Sequence, residues 1–206
     1  MIDKICLLLT NKIRKEMPEV DDERAEIINY GLHLIIGELP KTFIILGLSY
    51  FLGVFKLTLL TVILLLPYRA VSGGFHLKTH IGCIVGTTLI YSGVAKISNY
   101  IIFSNQILKC IIAVSVWIFG MIMVHLYAPA DTENHPLVKK EVRKQLKSRA
   151  VIVSIIYCLL AIFAKPMWFV NILMLMETYV VISILPVSYK IFRRRYNNYE
   201  EFNDEN

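Results

Sequence analysis

Residues 42–67 read TFIILGLSYFLGVFKLTLLTVILLLP, with Lys56 as the one charged side chain. An apolar run of this kind is typical of membrane-crossing helices, for which about 20 residues suffice. The run is long for one span and short for two, and Gly53 and Lys56 interrupt it near its middle. The pattern therefore predicts two abutting helices, 39–54 and 56–67.

The composition of the whole chain agrees with a membrane protein. Of 206 residues, 56% are apolar and 18% are charged, against about 25% charged residues in a typical soluble domain. About 115 apolar residues, at about 20 per span, allow at most about six spans, which excludes a large appended soluble catalytic domain. A net charge of +6 on so apolar a chain is typical of basic membrane-protein loops and does not indicate nucleic-acid binding.

Further apolar stretches predict spans at 81–102, 107–127, 150–164 and 168–188. With both termini in the cytoplasm, 18 of the 22 basic residues fall in cytoplasmic segments, where Lys and Arg are in excess. A five- or seven-span count would put the two richest basic clusters on opposite sides. The four remaining basic residues are lysines near the far ends of the spans, from which long side chains can extend to the interface: Lys56, Lys96, Lys109 and Lys165.

The N-terminal residues 1–17 alternate apolar and basic side chains at helical spacing. This predicts an amphipathic helix that lies on an anionic membrane surface or packs on the protein's own loops. We predict an all-α fold, a polytopic integral membrane helical bundle of about six transmembrane helices with both termini cytoplasmic. The chain is predicted to be a single membrane domain, 1–206, with amphipathic N-terminal helices at 1–38, the bundle at 39–188 and a cytoplasmic tail at 189–206.

One predicted cytoplasmic loop and the following helix start combine residues that could carry chemistry. Residues 67–83 read PYRAVSGGFHLKTHIGC. A cysteine becomes a nucleophile when a nearby base favours its thiolate, and histidine is the usual partner. On an unbroken helix, His80 would neighbour Cys83, whereas His76 would lie about 10 Å away along the axis. His76 therefore reaches Cys83 only if the chain folds back, which the intervening glycines allow.

Other residue patterns in the chain bear on disulfides, on metal sites and on a third catalytic residue. The four cysteines form no CxxC pair, so neither a disulfide framework nor a zinc site is predicted. The pair His76 and His80 lacks a nearby third metal ligand, so no metal is predicted. Asp131 and Glu133 are candidates for a third catalytic residue if the second cytoplasmic loop folds over the first.

Two features are also compatible with a protein that performs no covalent chemistry. Glu177 is an acidic residue deep in a predicted span, which either bonds a neighbouring helix or, with His125, lines the polar path of a small peptide exporter or carrier. A basic run, 139–149, has the spacing of one helix face. It either contacts anionic lipid, docks an acidic peptide, or serves a membrane adaptor.

A family resemblance narrows these alternatives. Residues 69–76 read RAVSGGFH, and Cys83 follows after six more residues, which resembles the signature of the accessory gene regulator B (AgrB) family of membrane cysteine proteases. The stretch YAPADTENHP at 127–136 resembles the loop after that family's fourth span. The chain length, span count and basic loop fit as well, so the likeness covers nearly the whole chain.

The resemblance implies a role for each matching residue. His76 falls on the family's general base and Cys83 on its nucleophile, which leaves His80 as a helper. The positions that would support the substrate or the oxyanion are Arg69, Gly73 and Gly74. The candidates for docking an acidic substrate segment are Lys139, Lys140, Arg143, Lys144 and Lys147.

The resemblance also implies an activity and its partners. Members of the family clip the C-terminal part from a short membrane-bound AgrD-like pro-peptide and help to close the remainder into a thiolactone or lactone quorum-sensing signal. The expected protein is thus a cysteine endopeptidase of the bacterial cell membrane with its active site at the cytoplasmic face. No cofactor and no nucleic acid are implied. A homodimer is a further expectation, because a short six-span chain has little capacity to enclose a peptide by itself.

Overall fold

The computed structural model describes residues 2–21, 24–25, 28–29, 32, 36, 39–103, 105–133, 137 and 140–200. Over these ranges the chain is helical, with one isolated β-bridge and no strands. The helices are α1 Ile2–Glu16, α2 Leu39–Phe51, α3 Phe55–Ser72, α4 His80–Ile97, α5 Gln106–Tyr127, α6 Lys140–Phe163, α7 Met167–Ile184 and α8 Pro186–Ile191. The predicted all-α class is confirmed.

Four helices, α3, α5, α6 and α7, are long and apolar enough to cross a membrane. Two shorter apolar helices accompany them, α2 and the Ile81–Ile97 portion of α4. The four long helices, which are candidate membrane spans by length and composition, fit the prediction of a helical membrane protein. A count of six requires that α2 and α4 span as well, and that count stays a prediction, as do the cytoplasmic termini.

Helix α7 forms the centre of the bundle. It packs against α3, α5 and α6, and side chains such as Ile172, Met176 and Val180 are fully buried. By contrast, α5 and α6 expose isoleucine and leucine side chains along their outer faces. Such exposed apolar faces are typical of helices that contact lipid. The bundle therefore encloses α7 and leaves an apolar outer surface.

The buried carboxyl of Glu177 joins three helices of this bundle. Ser154 Oγ on α6 donates to Glu177 Oε1 at 3.0 Å. On α5, Gly120 leaves the room for that carboxylate, because a Cβ at this position would overlap it. Glu177 thus has the interhelical hydrogen bond that was one of its two predicted roles, whereas the side chain of His125 is exposed.

The second of the two abutting predicted helices, 56–67, extends beyond its predicted end at residue 67. Helix α3 continues through Pro67 to Ser72, although a proline inside a helix removes one backbone hydrogen bond. The α6 residue Tyr157 donates its hydroxyl to the Leu64 carbonyl at 2.6 Å, so a neighbouring helix supplies a hydrogen bond beside the proline. Arg69 is consequently helical and does not lie in the predicted loop.

Two other helix limits differ from the prediction. The predicted span 168–188 is divided, because Leu185 is extended (φ −67°, ψ 136°) before Pro186, a position that disfavours helical backbone. The predicted span 150–164 begins earlier, since α6 starts at Lys140 and carries the basic run into the bundle.

Lys109 differs from the prediction that its side chain extends to the membrane interface. It is buried, and its Nζ donates to the Ala164 carbonyl at 3.4 Å.

Candidate functional site

Three segments between or after the helices meet at one end of the bundle. We call them loop 1 (residues 73–79), loop 2 (residues 128–133) and the C-terminal strap (residues 192–200). Loop 1 is bonded to loop 2 and to the strap, and loop 2 is bonded to the strap. The charge pattern predicts all three on the cytoplasmic side, and their mutual contact agrees with their lying on one side.

Loop 1 and loop 2 are joined by a short parallel bridge between Gly73 and Ala130. The Ala130 amide donates to the Ser72 carbonyl at 3.0 Å, and the Gly74 amide donates to the Ala130 carbonyl at 2.8 Å. Gly73 and Gly74 have φ angles of 70° and 122°, which strongly favour glycine. The second loop therefore does fold over the first, the condition set for loop 2 to contribute to the site.

Arg69 holds loop 1 in this shape. Its Nη1 donates to the Gly73 carbonyl at 2.7 Å and to Ser183 Oγ at 2.6 Å, and its Nη2 donates to the Phe75 carbonyl at 3.3 Å. The guanidinium also lies 5.6 Å from the centre of the Tyr179 ring. A planar fork of donors suits such a set of acceptors. In this structure Arg69 thus connects the end of α3, loop 1 and α7.

The first three backbone amides of loop 1 are hydrogen-bonded within the chain. Gly73 N donates to the Arg69 carbonyl at 2.9 Å, and Phe75 N donates to the Ser183 carbonyl at 3.1 Å. With Gly74 N on Ala130, three successive N–H groups have partners. The glycines therefore serve the shape of loop 1, and these three donors are not directed at a substrate oxyanion in this conformation.

Loop 1 bends at Lys78 and Thr79, just before α4 begins. Thr79 caps α4, its Oγ1 accepting from Gly82 N at 3.0 Å. Leu77 lies back along α4, because a Cβ added to Gly86 would be 3.1 Å from Leu77 Cδ1. The helical spacing that separated His76 from Cys83 thus does not apply, since the chain between them is non-helical up to Thr79 and bends at Lys78 and Thr79.

Cys83 lies in the first turns of α4 and is half-buried. Its amide donates to the Thr79 carbonyl at 2.9 Å, and its Sγ lies 3.9 Å from Thr87 Oγ1. His76 is exposed at the surface of loop 1, and its carbonyl accepts from Arg194 Nε at 2.8 Å. The side chain of His80 lies outside the described part of the chain.

The two predicted acidic candidates in loop 2 both bind the C-terminal strap. The buried Asp131 carboxylate accepts from Asn198 N at 3.0 Å and from Tyr199 N at 2.9 Å. Glu133 forms an ion pair with Arg194 at 2.9 Å. Their contacts anchor the strap beside loop 1, so both carboxylates are engaged by the strap.

Two tyrosines complete this packing. Tyr189 on α8 donates its hydroxyl to the Asp131 carbonyl at 2.8 Å, and its ring meets that of Tyr196 edge to face at 5.2 Å. Burial raises the pKa of Tyr196 to about 12 and also raises the pKa of Tyr189. Both phenols therefore remain neutral near pH 7.

The predicted docking residues differ in their exposure and in their contacts. Lys140 and Lys144 are exposed on the first turns of α6, and Lys147 is half-buried. Arg143 binds within the chain, because its Nη1 donates to the Leu137 carbonyl at 2.7 Å and its guanidinium lies 3.9 Å from the Tyr199 ring centre. Lys139 lies outside the described residues.

Sequence reasoning missed Ser183 and Arg194. Ser183 receives Arg69 and lies 114 residues away from it in the chain, a separation that no local pattern reveals. Arg194 belongs to a basic cluster in the predicted tail, and its charge was interpreted only as a sign that the tail is cytoplasmic.

Among the described residues, no group of three or more His, Cys, Asp or Glu side chains could hold a metal ion.

Comparisons with known proteins bear on this arrangement. The model of the family Accessory gene regulator B matches residues 6–187. An AgrB-like protein of Clostridium acetobutylicum is 30% identical over 203 residues, covering 98% of this chain and 94% of that protein. One of Listeria innocua is 31% identical over 190 residues, covering 92% and 91%. No solved structure matches significantly. The match over most of its length shows that the chain belongs to the accessory gene regulator B family.

Proposed function

We propose that the protein is a membrane-embedded cysteine endopeptidase that cleaves the C-terminal part of a quorum-sensing pro-peptide and promotes its cyclisation. Family membership connects the chain with peptide processing in accessory gene regulator quorum sensing. The observation that carries the proposal is the non-helical path of loop 1, which bends at Lys78 and Thr79 and packs the Leu77 side chain on the helix that bears Cys83. Because this segment is not helical, His76 is a candidate partner for Cys83 despite their helical spacing.

In the proposed mechanism, the Cys83 thiolate attacks the scissile carbonyl and His76 protonates the leaving amine. The acyl group is then a thioester on Cys83, and the C-terminal fragment departs. A thiol or hydroxyl side chain of the peptide gives its proton to the now neutral His76 and attacks this thioester, and the peptide leaves as a thiolactone or lactone while Cys83 departs as a thiolate. The first turn of α4 supports the attack, because helix N-termini carry a partial positive charge that stabilises anions.

The supporting residues act through the shape of loop 1 in this proposal. Arg69 fixes the carbonyls of Gly73 and Phe75, and the two glycines permit the contact with loop 2. His80, in the first turn of α4, remains the proposed helper. The site is proposed to lie at the cytoplasmic face of a bacterial cell membrane, in a chain that acts as a single six-span domain.

The pro-peptide is the proposed partner, together with the bilayer and, for enclosure of the peptide, a second copy of the chain. An acidic substrate segment would meet the exposed Lys140 and Lys144 at the start of α6, with Lys147 one turn further on. Arg143 contributes indirectly, because it stacks on the strap. No cofactor enters the proposed reaction.

Trapping the thioester tests the function directly. A candidate AgrD-like pro-peptide is co-expressed with the full chain in a bacterial membrane, and Cys83-containing peptides are analysed by mass spectrometry. We expect the N-terminal part of the pro-peptide on Cys83, released by neutral hydroxylamine because a thioester is far more reactive than an amide. Cleavage of the pro-peptide with no hydroxylamine-labile adduct on Cys83 would contradict the covalent mechanism.

Glu177→Gln separates this function from a carrier that uses a buried charge. The glutamine keeps an acceptor for Ser154 Oγ and nearly the same volume at Gly120, so we expect pro-peptide cleavage within about twofold of the wild-type rate. A carrier that depends on the carboxylate would lose its activity. Cleavage and peptide transport, both measured in membrane vesicles, decide between them, with Cys158→Ala on the neighbouring helix as the matched control.

A further inference from the structure

The C-terminal strap is bonded to both loops of the candidate site. Phe192 stacks on Phe75 of loop 1, with ring centres 4.5 Å apart and planes at 18°. Further along, Arg194 reaches loop 1 and loop 2 together. The predicted cytoplasmic tail is therefore, up to residue 200, a packed part of the site.

Arg194 connects the strap to His76. Its Nε donates to the His76 carbonyl at 2.8 Å, and its Nη1 donates to Glu133 Oε2 at 2.9 Å. The side chain is only 18% exposed. The rigid guanidinium fork can satisfy two acceptors in fixed directions, which a lysine ammonium does less well.

Glu133 orients this arginine. Besides the ion pair, its Oε1 accepts from the Arg195 amide at 3.1 Å, so the carboxylate binds the strap backbone and the Arg194 side chain together. A charge held by two hydrogen bonds of this kind is more restricted than an exposed surface pair. The position of the guanidinium beside loop 1 is thus set by loop 2.

The strap is fixed on its far side as well. Asp131 Oδ1 and Oδ2 accept from the amides of Asn198 and Tyr199, and the Tyr199 ring lies under the guanidinium of Arg143. Arg194 therefore projects from a segment anchored at both ends, by Phe192 on one side and by residues 198–199 on the other.

The geometry points to Arg194 as a positioning residue that holds the His76 backbone in place for its partnership with Cys83. This inference rests on the proposed function, since it presumes that His76 activates Cys83. Loop 1 presents His76 at its exposed surface, where backbone motion would carry the imidazole away. The bond from Arg194 restrains the peptide unit directly after the His76 Cα.

Site-resolved alkylation of Cys83 by iodoacetamide tests the inference without a substrate. The full chain in native membrane vesicles is labelled at pH 7 and pH 9.5, and the Cys83 peptide is quantified by mass spectrometry. An activated thiol reacts at pH 7 about tenfold faster than an ordinary one, whereas at pH 9.5 both are largely thiolate and the rates converge. We expect Arg194→Gln to slow labelling about tenfold at pH 7 and to match wild type at pH 9.5.

Arg193→Gln is the matched control, because it removes the same charge from the adjacent, exposed position, and we expect wild-type labelling at both pH values. Glu133→Gln leaves Arg194 in place with a weaker partner and should fall between the two at pH 7. It replaces Arg194→Gln in the comparison if that variant does not reach the membrane.

Each other outcome overturns the inference in a recognisable way. Wild-type labelling by Arg194→Gln at pH 7 excludes a positioning role, and so does slower labelling at both pH values, which reports altered access to Cys83. If His76→Ala labels like wild type, the His76–Cys83 pair itself is wrong and the proposed function fails with it. A pH 7 defect in His76→Ala without one in Arg194→Gln rejects the positioning role alone.

Discussion

Replacing Cys83 by alanine is expected to lower pro-peptide cleavage by at least about a thousandfold, because no other group in the proposed mechanism can form the acyl intermediate. Cys83 is half-buried on α4, so the smaller side chain leaves the bundle core unchanged. The fold should therefore survive the substitution. Cleavage is measured by mass spectrometry of co-expressed pro-peptide, with membrane levels of the enzyme compared by immunoblot.

Cys110→Ala and Cys158→Ala are the matched controls, since both thiols are equally half-buried but lie on α5 and α6. We expect both to retain cleavage within about twofold. Cleavage by Cys83→Ala at a rate near that of these controls would exclude the cysteine mechanism.

The two histidines near Cys83 allow a second comparison. His76→Ala is expected to lose about a hundredfold or more, the usual contribution of a general acid or base. His80→Ala should lose much less, because its proposed role is only that of a helper. The reverse order would favour the partner that helical spacing predicted, and would show that the non-helical path of loop 1 does not serve catalysis.

The helices of this protein were predictable because their signal is local. An apolar run long enough to span a membrane is visible in the sequence alone, as in residues 42–67. The limits of the helices were less predictable, since they depend on neighbours. Helix α3 passes Pro67 next to a hydrogen bond from Tyr157 on another helix, and nothing in the residues around Pro67 indicates that partner.

The site shows the same division between local and distant information. The candidates His76 and Cys83 were recognised from a motif within one short segment. The residues that shape loop 1 come from elsewhere: Ala130 on loop 2, Ser183 on α7 and Arg194 on the strap. Their contacts arise from the packing of the bundle. From the sequence, a contribution of loop 2 to the site could be predicted only on the condition that loop 2 folds over loop 1. The bridge between Gly73 and Ala130 shows that it does.

Gly73→Ala and Gly74→Ala are each expected to destabilise the protein by about 3 kcal/mol or more, because two costs combine at each position. Both residues have positive φ angles, which disfavour alanine. A Cβ on Gly73 would overlap the carbonyl of Ala130, and one on Gly74 would overlap the guanidinium of Arg69. Either overlap separates loop 1 from a segment that holds it.

Gly47→Ala and Gly93→Ala provide the matched controls, since a Cβ at either position meets nothing within 4 Å. Both are helical, so we expect no loss of stability and a gain of up to about 1 kcal/mol. Thermal unfolding in detergent compares the four variants. Hydrogen exchange should rise locally, in loops 1 and 2, for the Gly73 and Gly74 variants.

Cleavage should follow this local loosening more closely than it follows overall stability. If loop 1 must keep its shape for His76 to act on Cys83, a Gly74→Ala protein that is still folded at the assay temperature should cleave at least about a hundredfold more slowly. Gly93→Ala, on the same helix as Cys83, should cleave normally. A folded Gly74→Ala variant with raised exchange in loop 1 and undiminished cleavage would show that the shape of this loop is not needed for catalysis.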